Sequence, residues 1–151
     1  MKKTLIISGI SILLGSLAGI IFNNNYKEKI FNKINKKNNY YILQEGAYSS
    51  KEVMLENTKN ISIKTLEKDN NKYYVYLGIT KDIENAKKIK AIYENKGYQI
   101  YIKEVNISNE EFYNNVIQFD LLIKNTDNEQ EVLTIEEVVL ANYDELIKTD
   151  K

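Results

Sequence analysis

The sequence contains no cysteine, histidine, tryptophan or proline, and only six glycines in 151 residues. Without cysteine there are no disulfides, thiolate metal sites or cysteine-linked lipids. Without histidine the usual general base, the triad relay and the commonest zinc ligand are missing. Only carboxylate and tyrosine chemistry remains, so no enzyme, metal or cofactor is expected. No charge of either sign dominates, since basic and acidic residues number 21 each. No overall field then draws the chain to nucleic acid, which is not expected as a partner. Lys, Asn, Ile and Tyr are abundant, a bias that reads as adenine- and thymine-rich coding. The 12 tyrosines alone therefore do not indicate a function.

The one long apolar run is Thr4 to Phe22, free of charge throughout. As a helix rising about 1.5 Å per residue it would span about 28 Å, close to the ~30 Å hydrocarbon core of a bilayer. The run reads as a transmembrane anchor. A cleaved signal peptide is the competing reading, with Ser16-Leu17-Ala18 as cleavage site, but Gly19 to Phe22 continue the apolar stretch past it. Lys2 and Lys3 flank one side, while Lys27, Lys29, Lys33, Lys36 and Lys37 crowd the other. By the positive-inside rule those lysines argue for a cytoplasmic C-terminal domain. Ser11, Gly15 and Gly19 share one face of the span, a candidate surface for homodimerisation. Residues 23–38 form a juxtamembrane linker in which Tyr26, Ile30 and Ile34 keep helical spacing, suggesting a semi-rigid stalk.

Beyond the linker an internal repeat organises the chain. Tyr41-Ile-Leu-Gln-Glu-Gly-Ala-Tyr48 aligns without gaps to Tyr73-Tyr-Val-Tyr-Leu-Gly-Ile-Thr80, each an aromatic strand-like run with a glycine five positions on. Each run is followed by a polar break and a helical stretch. The first helix is expected over about 50–60 with Val53, Met54 and Asn57 as its stripe. The second is expected over about 82–96, with Ile83, Ala86, Ile89 and Tyr93 on one face and Gly97 as its stop. Further strands are expected over 61–67 and 98–105, with a hairpin turn at Asp69-Asn70-Asn71. The order βαββαβ predicts an α+β, ferredoxin-like fold: a four-stranded antiparallel sheet with both helices on one face and the other face open.

Both runs resemble the signature strands of the SPOR domain, the sporulation-related repeat of bacterial envelope proteins. Tyr41, Gln44, Gly46, Ala47 and Tyr48 fit the first signature, and Tyr73, Val75, Leu77 and Gly78 the second. Glu84 to Ala86 and Gly97 fit the second helix and its stop. The resemblance covers about residues 39–105. It departs at Glu45, where an apolar residue is usual, and at Tyr74 and Tyr76, which replace polar positions. It implies binding to peptidoglycan glycan strands stripped of stem peptides, and a place outside the membrane despite the flanking lysines.

Strand alternation puts Tyr41, Leu43, Tyr73, Val75 and Leu77 under the helices. Ile42, Gln44, Tyr74 and Tyr76 then lie on the opposite face, joined by Tyr101, and form the expected glycan-binding site. A tyrosine ring suits a sugar that shows C–H patches on one side and hydroxyls at its rim. The same tyrosines could instead lie beneath the C-terminal segment. Aromatic sheet faces also stack RNA bases in domains of this topology, but balanced charge and the poor fit of Lys72 to Ile79 to that motif speak against it.

The last segment carries Phe112, Val116, Phe119 and Ile123, then Val132, Ile135, Val139, Tyr143 and Leu146, at helical spacing. Two amphipathic helices are expected, starting near Ser108 and broken at Asn125 to Asn128. They either enlarge the core or offer an arm to a protein partner. The adjacent acids Glu110-Glu111 and Glu136-Glu137 read as solvated surface, not as a paired-carboxylate active site. The chain thus divides into an anchor at 1–22, a linker at 23–38, a SPOR-like domain at 39–107 and a helical extension at 108–151. It is expected to be a non-catalytic, single-pass protein of the cell membrane, its C-terminal domain extracytoplasmic, that binds peptidoglycan glycan strands in division or sporulation. The alternative is a membrane-tethered adaptor working through its C-terminal helices.

Overall fold

The computed structural model describes residues 38–149. The anchor at 4–22, the dimerisation face and the linker up to residue 37 lie outside the described residues. Among the described residues no helix is long and apolar enough to cross a membrane.

Strand β1 is Asn39–Tyr48, and Ser50 caps helix α1 (Lys51–Asn57) by accepting the Val53 N–H. Strands β2 (Thr65–Asp69) and β3 (Lys72–Thr80) form a hairpin. Its two turn residues, Asn70 and Asn71, hold φ of 46° and 63°, the left-handed conformation a tight hairpin needs and asparagine tolerates. Helix α2 is Ile83–Asn95 with Asp82 as its cap, and strand β4 is Tyr101–Asn106. The sheet order is β2-β3-β1-β4, all pairs antiparallel, as expected of two interleaved βαβ halves.

Two strand boundaries differ from expectation for local reasons. The stretch before β2 is held as a turn, with Ile61 N–H bonded to the Thr58 carbonyl and Lys64 reaching the carbonyls of Thr58 and Ile61. Strand pairing therefore starts only at Thr65. β4 starts late because α2 ends in a paired motif: Gly97 N–H bonds Glu94 and Tyr98 N–H bonds Tyr93, with Gly97 at φ 89°. The Tyr93 and Tyr98 rings then meet edge to face at 6.3 Å.

Leu43, Val75 and Leu77 are buried with Met54 of α1 and Ala86, Ile89, Ile92 and Tyr93 of α2. Three stripe assignments are corrected. Val53 is 48% exposed and Asn57 is exposed, since a helix of two turns turns only Met54 inward, and Ile83, in the first turn of α2, is 37% exposed.

The open second face is also corrected. Helices α3 (Glu110–Lys124) and α4 (Glu129–Thr149) follow β4, α3 capped by Asn109, whose side chain accepts the Phe112 N–H. They fold back onto the sheet. Phe112 and Val116 of α3 and Val139, Leu140 and Tyr143 of α4 form one core with Tyr40, Ile42 and Ile79 of the strands. At about 1.5–3 kcal/mol per fully buried large apolar side chain, this interface is worth on the order of 10 kcal/mol before entropy. The hairpin belongs to the fold; among the two expected roles for it, core enlargement is what the structure shows.

Candidate functional site

The second face carries a row of tyrosines whose ends differ in cover. At one end Tyr40 and Ile42 are sealed, at 0% and 2% exposure, by Phe112 and Tyr143. Toward the other end the Tyr74 and Tyr76 rings stack at 6.3 Å and 15°. Tyr76 then meets Tyr143 of α4 edge-on at 6.3 Å, and the Tyr143 hydroxyl donates to Glu67 of β2 at 3.0 Å. Burial pushes the hydroxyls of Tyr76 and Tyr143 far above the usual phenol range, with Glu67 adding to it. They stay neutral and act as donors. Beyond this point the roof stops: Tyr101 is 50% exposed, and the Lys103 ammonium lies 5.4 Å from the Tyr74 ring centre.

The five residues expected to bind glycan are thus divided. Tyr101 presents an exposed ring, Tyr74 and Tyr76 are both half-buried, Tyr76 beneath Tyr143, and Ile42 lies wholly under the hairpin. Gln44 is in register with Tyr76 on one side and Tyr101 on the other, yet it is 6% exposed and its Oε1 has no hydrogen-bond partner. Register shifts flank Gln44 in the β1–β3 pairing, and Ile42 and Leu43 are buried in succession because both faces of the sheet are covered here, Ile42 by the hairpin and Leu43 by α1 and α2. Lys103 was not singled out from the sequence, although it stands two residues after Tyr101 on the same strand face. Tyr143 was legible only as part of the α4 stripe, and Glu67 had no local signal.

The glycines of the repeat have separate reasons. A Cβ on Gly78 would lie 3.1 Å from Glu136 Oε2 and 3.2 Å from both Ile89 and Leu43. A Cβ on Gly46 would run into the ring of Tyr48 at 2.7–2.9 Å, a ring held across it by the Tyr48 hydroxyl bonding Glu45. That contact also accounts for Glu45, the departure from the resemblance. Burial, with Glu45 second, pushes the Tyr48 hydroxyl up to about 12.

Glu136 is corrected from solvated surface to full burial: it accepts the Ile79 N–H at 2.9 Å, and only its neighbour Glu137 is exposed. Asp120 of α3 accepts the Lys81 N–H at 2.8 Å, the Thr80 hydroxyl and the Asn85 amide. Burial raises the Asp120 carboxyl to about 6 against these three bonds, and raises Glu136 well above the usual range. Both bind backbone or neighbouring side chains rather than facing a cleft. A cavity of about 380 Å³ opens at the β2 edge beside Lys64, Leu66, Ile147 and Lys148. It shares no residue with the tyrosine row, and its lysines are engaged, Lys64 with carbonyls and Lys148 with Asp144.

No protein-family model matches the chain, and no curated protein matches it. Among solved structures the chain is similar to the solution structure of the peptidoglycan binding domain of B. subtilis cell wall lytic enzyme CwlC, at 19% identity and a TM-score of 0.40. The likeness covers 49% of this chain and 99% of that one.

Proposed function

We propose that the chain is a non-catalytic, membrane-anchored module that binds peptidoglycan glycan strands on the unroofed end of its second sheet face. The observation that carries the reading is the exposed Tyr101 ring, with the partly buried Tyr74 ring on the same sheet face and the Lys103 ammonium 5.4 Å from the Tyr74 ring centre. Two rings on a rigid sheet offer flat apolar surface to the C–H face of a sugar, and their hydroxyls meet its rim. Lys103 adds a cation, and among the described residues no ion pair engages it, so an acidic group of the glycan can take that place. The SPOR-like signature strands support the same ligand. The outward-facing topology and a place in division or sporulation belong to this proposal and follow from that resemblance.

Retention of the full chain on purified wall sacculi tests the reading. Tyr101→Ala combined with Tyr74→Ala should release the protein, while an unchanged bound fraction would remove the site. Protease treatment of intact protoplasts tests the topology, because a protected domain is incompatible with wall binding. The adaptor reading is weakened by the destination of the C-terminal stripe: Val132, Ile135 and Val139 are buried, not offered to a partner.

A further inference from the structure

The α3–α4 hairpin grips the sheet at a place where the sheet is incomplete. β2 reaches only to Thr65 opposite Tyr76, so among the described residues the outer edge of β3 from Leu77 to Thr80 has no strand beside it. Helix α4 stands there instead, with the Glu136 carboxylate accepting the Ile79 N–H and the Leu140 carbonyl accepting the Thr65 hydroxyl. Asp120 of α3 holds the next residues, Thr80 and Lys81. Two carboxyls from two helices therefore close on one strand end, and Gly78 leaves the space that Glu136 occupies. Among the described residues the second oxygen of Glu136 is buried without a hydrogen-bond partner.

We infer that the hairpin is a proton-latched roof: the carboxyls of Asp120 and Glu136 hold it over the Ile42 and Tyr76 end of the tyrosine face, and their ionisation loosens it and lengthens that face. The groups around the latch leave it poor in positive charge. Glu136 faces the Tyr93 hydroxyl of α2, the Ile79 amide of β3 and Asp120 itself. Asp120 faces Thr80 and Lys81, Asp82 and Asn85 at the start of α2, and Tyr40 of β1. Lys81 is a cation whose charge is felt by Asp120, and its ammonium also takes the Asn39 carbonyl at 2.8 Å and lies 4.1 and 5.1 Å from the ring centres of Tyr40 and Tyr113. Lys124 is 3.9 Å from Asp82 instead.

The sign follows from burial. Each carboxyl holds its proton more tightly when docked than when solvated, so docking is fully favoured below the solvated value and weakened as pH rises through the docked one. For Asp120 these values are 3.8 and about 6. That gap limits the contribution of Asp120 to the opening equilibrium to roughly 100-fold. The apolar interface keeps the roof mostly closed, so the effect is read as exchange through a minor open form. If that open form is the one that binds the longest stretch of glycan, apparent affinity scales with its population.

The inference uses the proposed function only for what the exposed face binds, and the experiment separates the two. Amide hydrogen exchange of the full chain in detergent micelles, corrected for intrinsic rates, is compared at pH 5 and pH 7.5. Protection across α3 and α4 should fall 10- to 100-fold at the higher pH relative to α2. Asp120→Asn with Glu136→Gln, which keep the acceptors but cannot ionise, should abolish that difference, and Glu137→Gln should leave it intact. Protection that does not change with pH in the wild-type chain overturns the latch. A pH difference that survives in the double variant overturns the assignment to these two carboxyls. Sacculus retention measured alongside should be higher at pH 7.5 than at pH 5 and flat in the double variant. Pronounced pH-dependent exchange with no retention at either pH would leave the latch standing and remove the glycan reading.

Discussion

Tyr40 and Tyr101 belong to the same sheet face, yet Tyr40 is 0% and Tyr101 50% exposed. At the Tyr40 end, Phe112 packs on the ring at 5.5 Å and Lys81 lies over it at 4.1 Å. At the Tyr101 end no helix arrives among the described residues. One face thus serves as core at one end and as surface at the other, and what divides them is the reach of the C-terminal hairpin, not the character of the strands. The tyrosine hydroxyls carry the same contrast. That of Tyr40 is buried without a hydrogen-bond partner and pushed up to about 12, mainly by burial. Such an orphan is tolerable only because the ring's apolar contacts outweigh it.

Substitutions at the two ends should separate sharply. Phe112→Ala, at the roofed end, should cost about 3–5 kcal/mol in denaturant unfolding, because it opens a cavity among fully packed neighbours. A loss below about 1 kcal/mol would show that the hairpin is not part of the cooperative core. Another effect needs no substitution. Since the Asp120 carboxyl is raised from 3.8 to about 6, unfolding free energy should increase by about 1.3 kcal/mol as pH is lowered from 7 to 5, a window in which most carboxyl-rich proteins lose stability or stay level. Gly78→Ala should cost about 1–3 kcal/mol by crowding Glu136, Ile89 and Leu43, and combining it with Glu136→Ala should recover part of that cost. At the unroofed end, Tyr101→Ala should leave stability within about 0.5 kcal/mol while weakening sacculus retention about 10-fold. Lys103→Gln should weaken it only a few-fold and reduce its dependence on salt. Equal stability losses from Phe112→Ala and Tyr101→Ala would erase the distinction between the two ends.

Much of the strand and helix order was legible in the residues. The repeat with its paired glycines, the Asn70-Asn71 turn, and α2 with Asp82 before it and Gly97 after it are local signals, and each appears where its chemistry requires. The stripes of α3 and α4 were legible too, since Phe112, Val116, Val132, Ile135 and Val139 are all buried. Their destination was not. An amphipathic stripe states that a face must be covered and leaves the covering surface open, so the sheet face with Gln44, Ile42 and Tyr76 read as free. Glu136 was misread for a related reason: adjacency to Glu137 on a helix suggests solvent, whereas the unpaired Ile79 N–H that takes Glu136 inward exists only once β2 has ended short of it. Lys103 could have been found by alternation from Tyr101, whereas its nearness to Tyr74 depends on how three strands align.

By itself the sequence determined the antiparallel sheet, the two helices that cross it and the amphipathic pair at the end, because strand alternation, capping and helical spacing act over a few residues. Tertiary structure alone decided how much of the tyrosine face remains a surface. That depends on where a hairpin distant in sequence docks, and its docking is set by an incomplete sheet edge, two buried carboxyl groups and the space above Gly78.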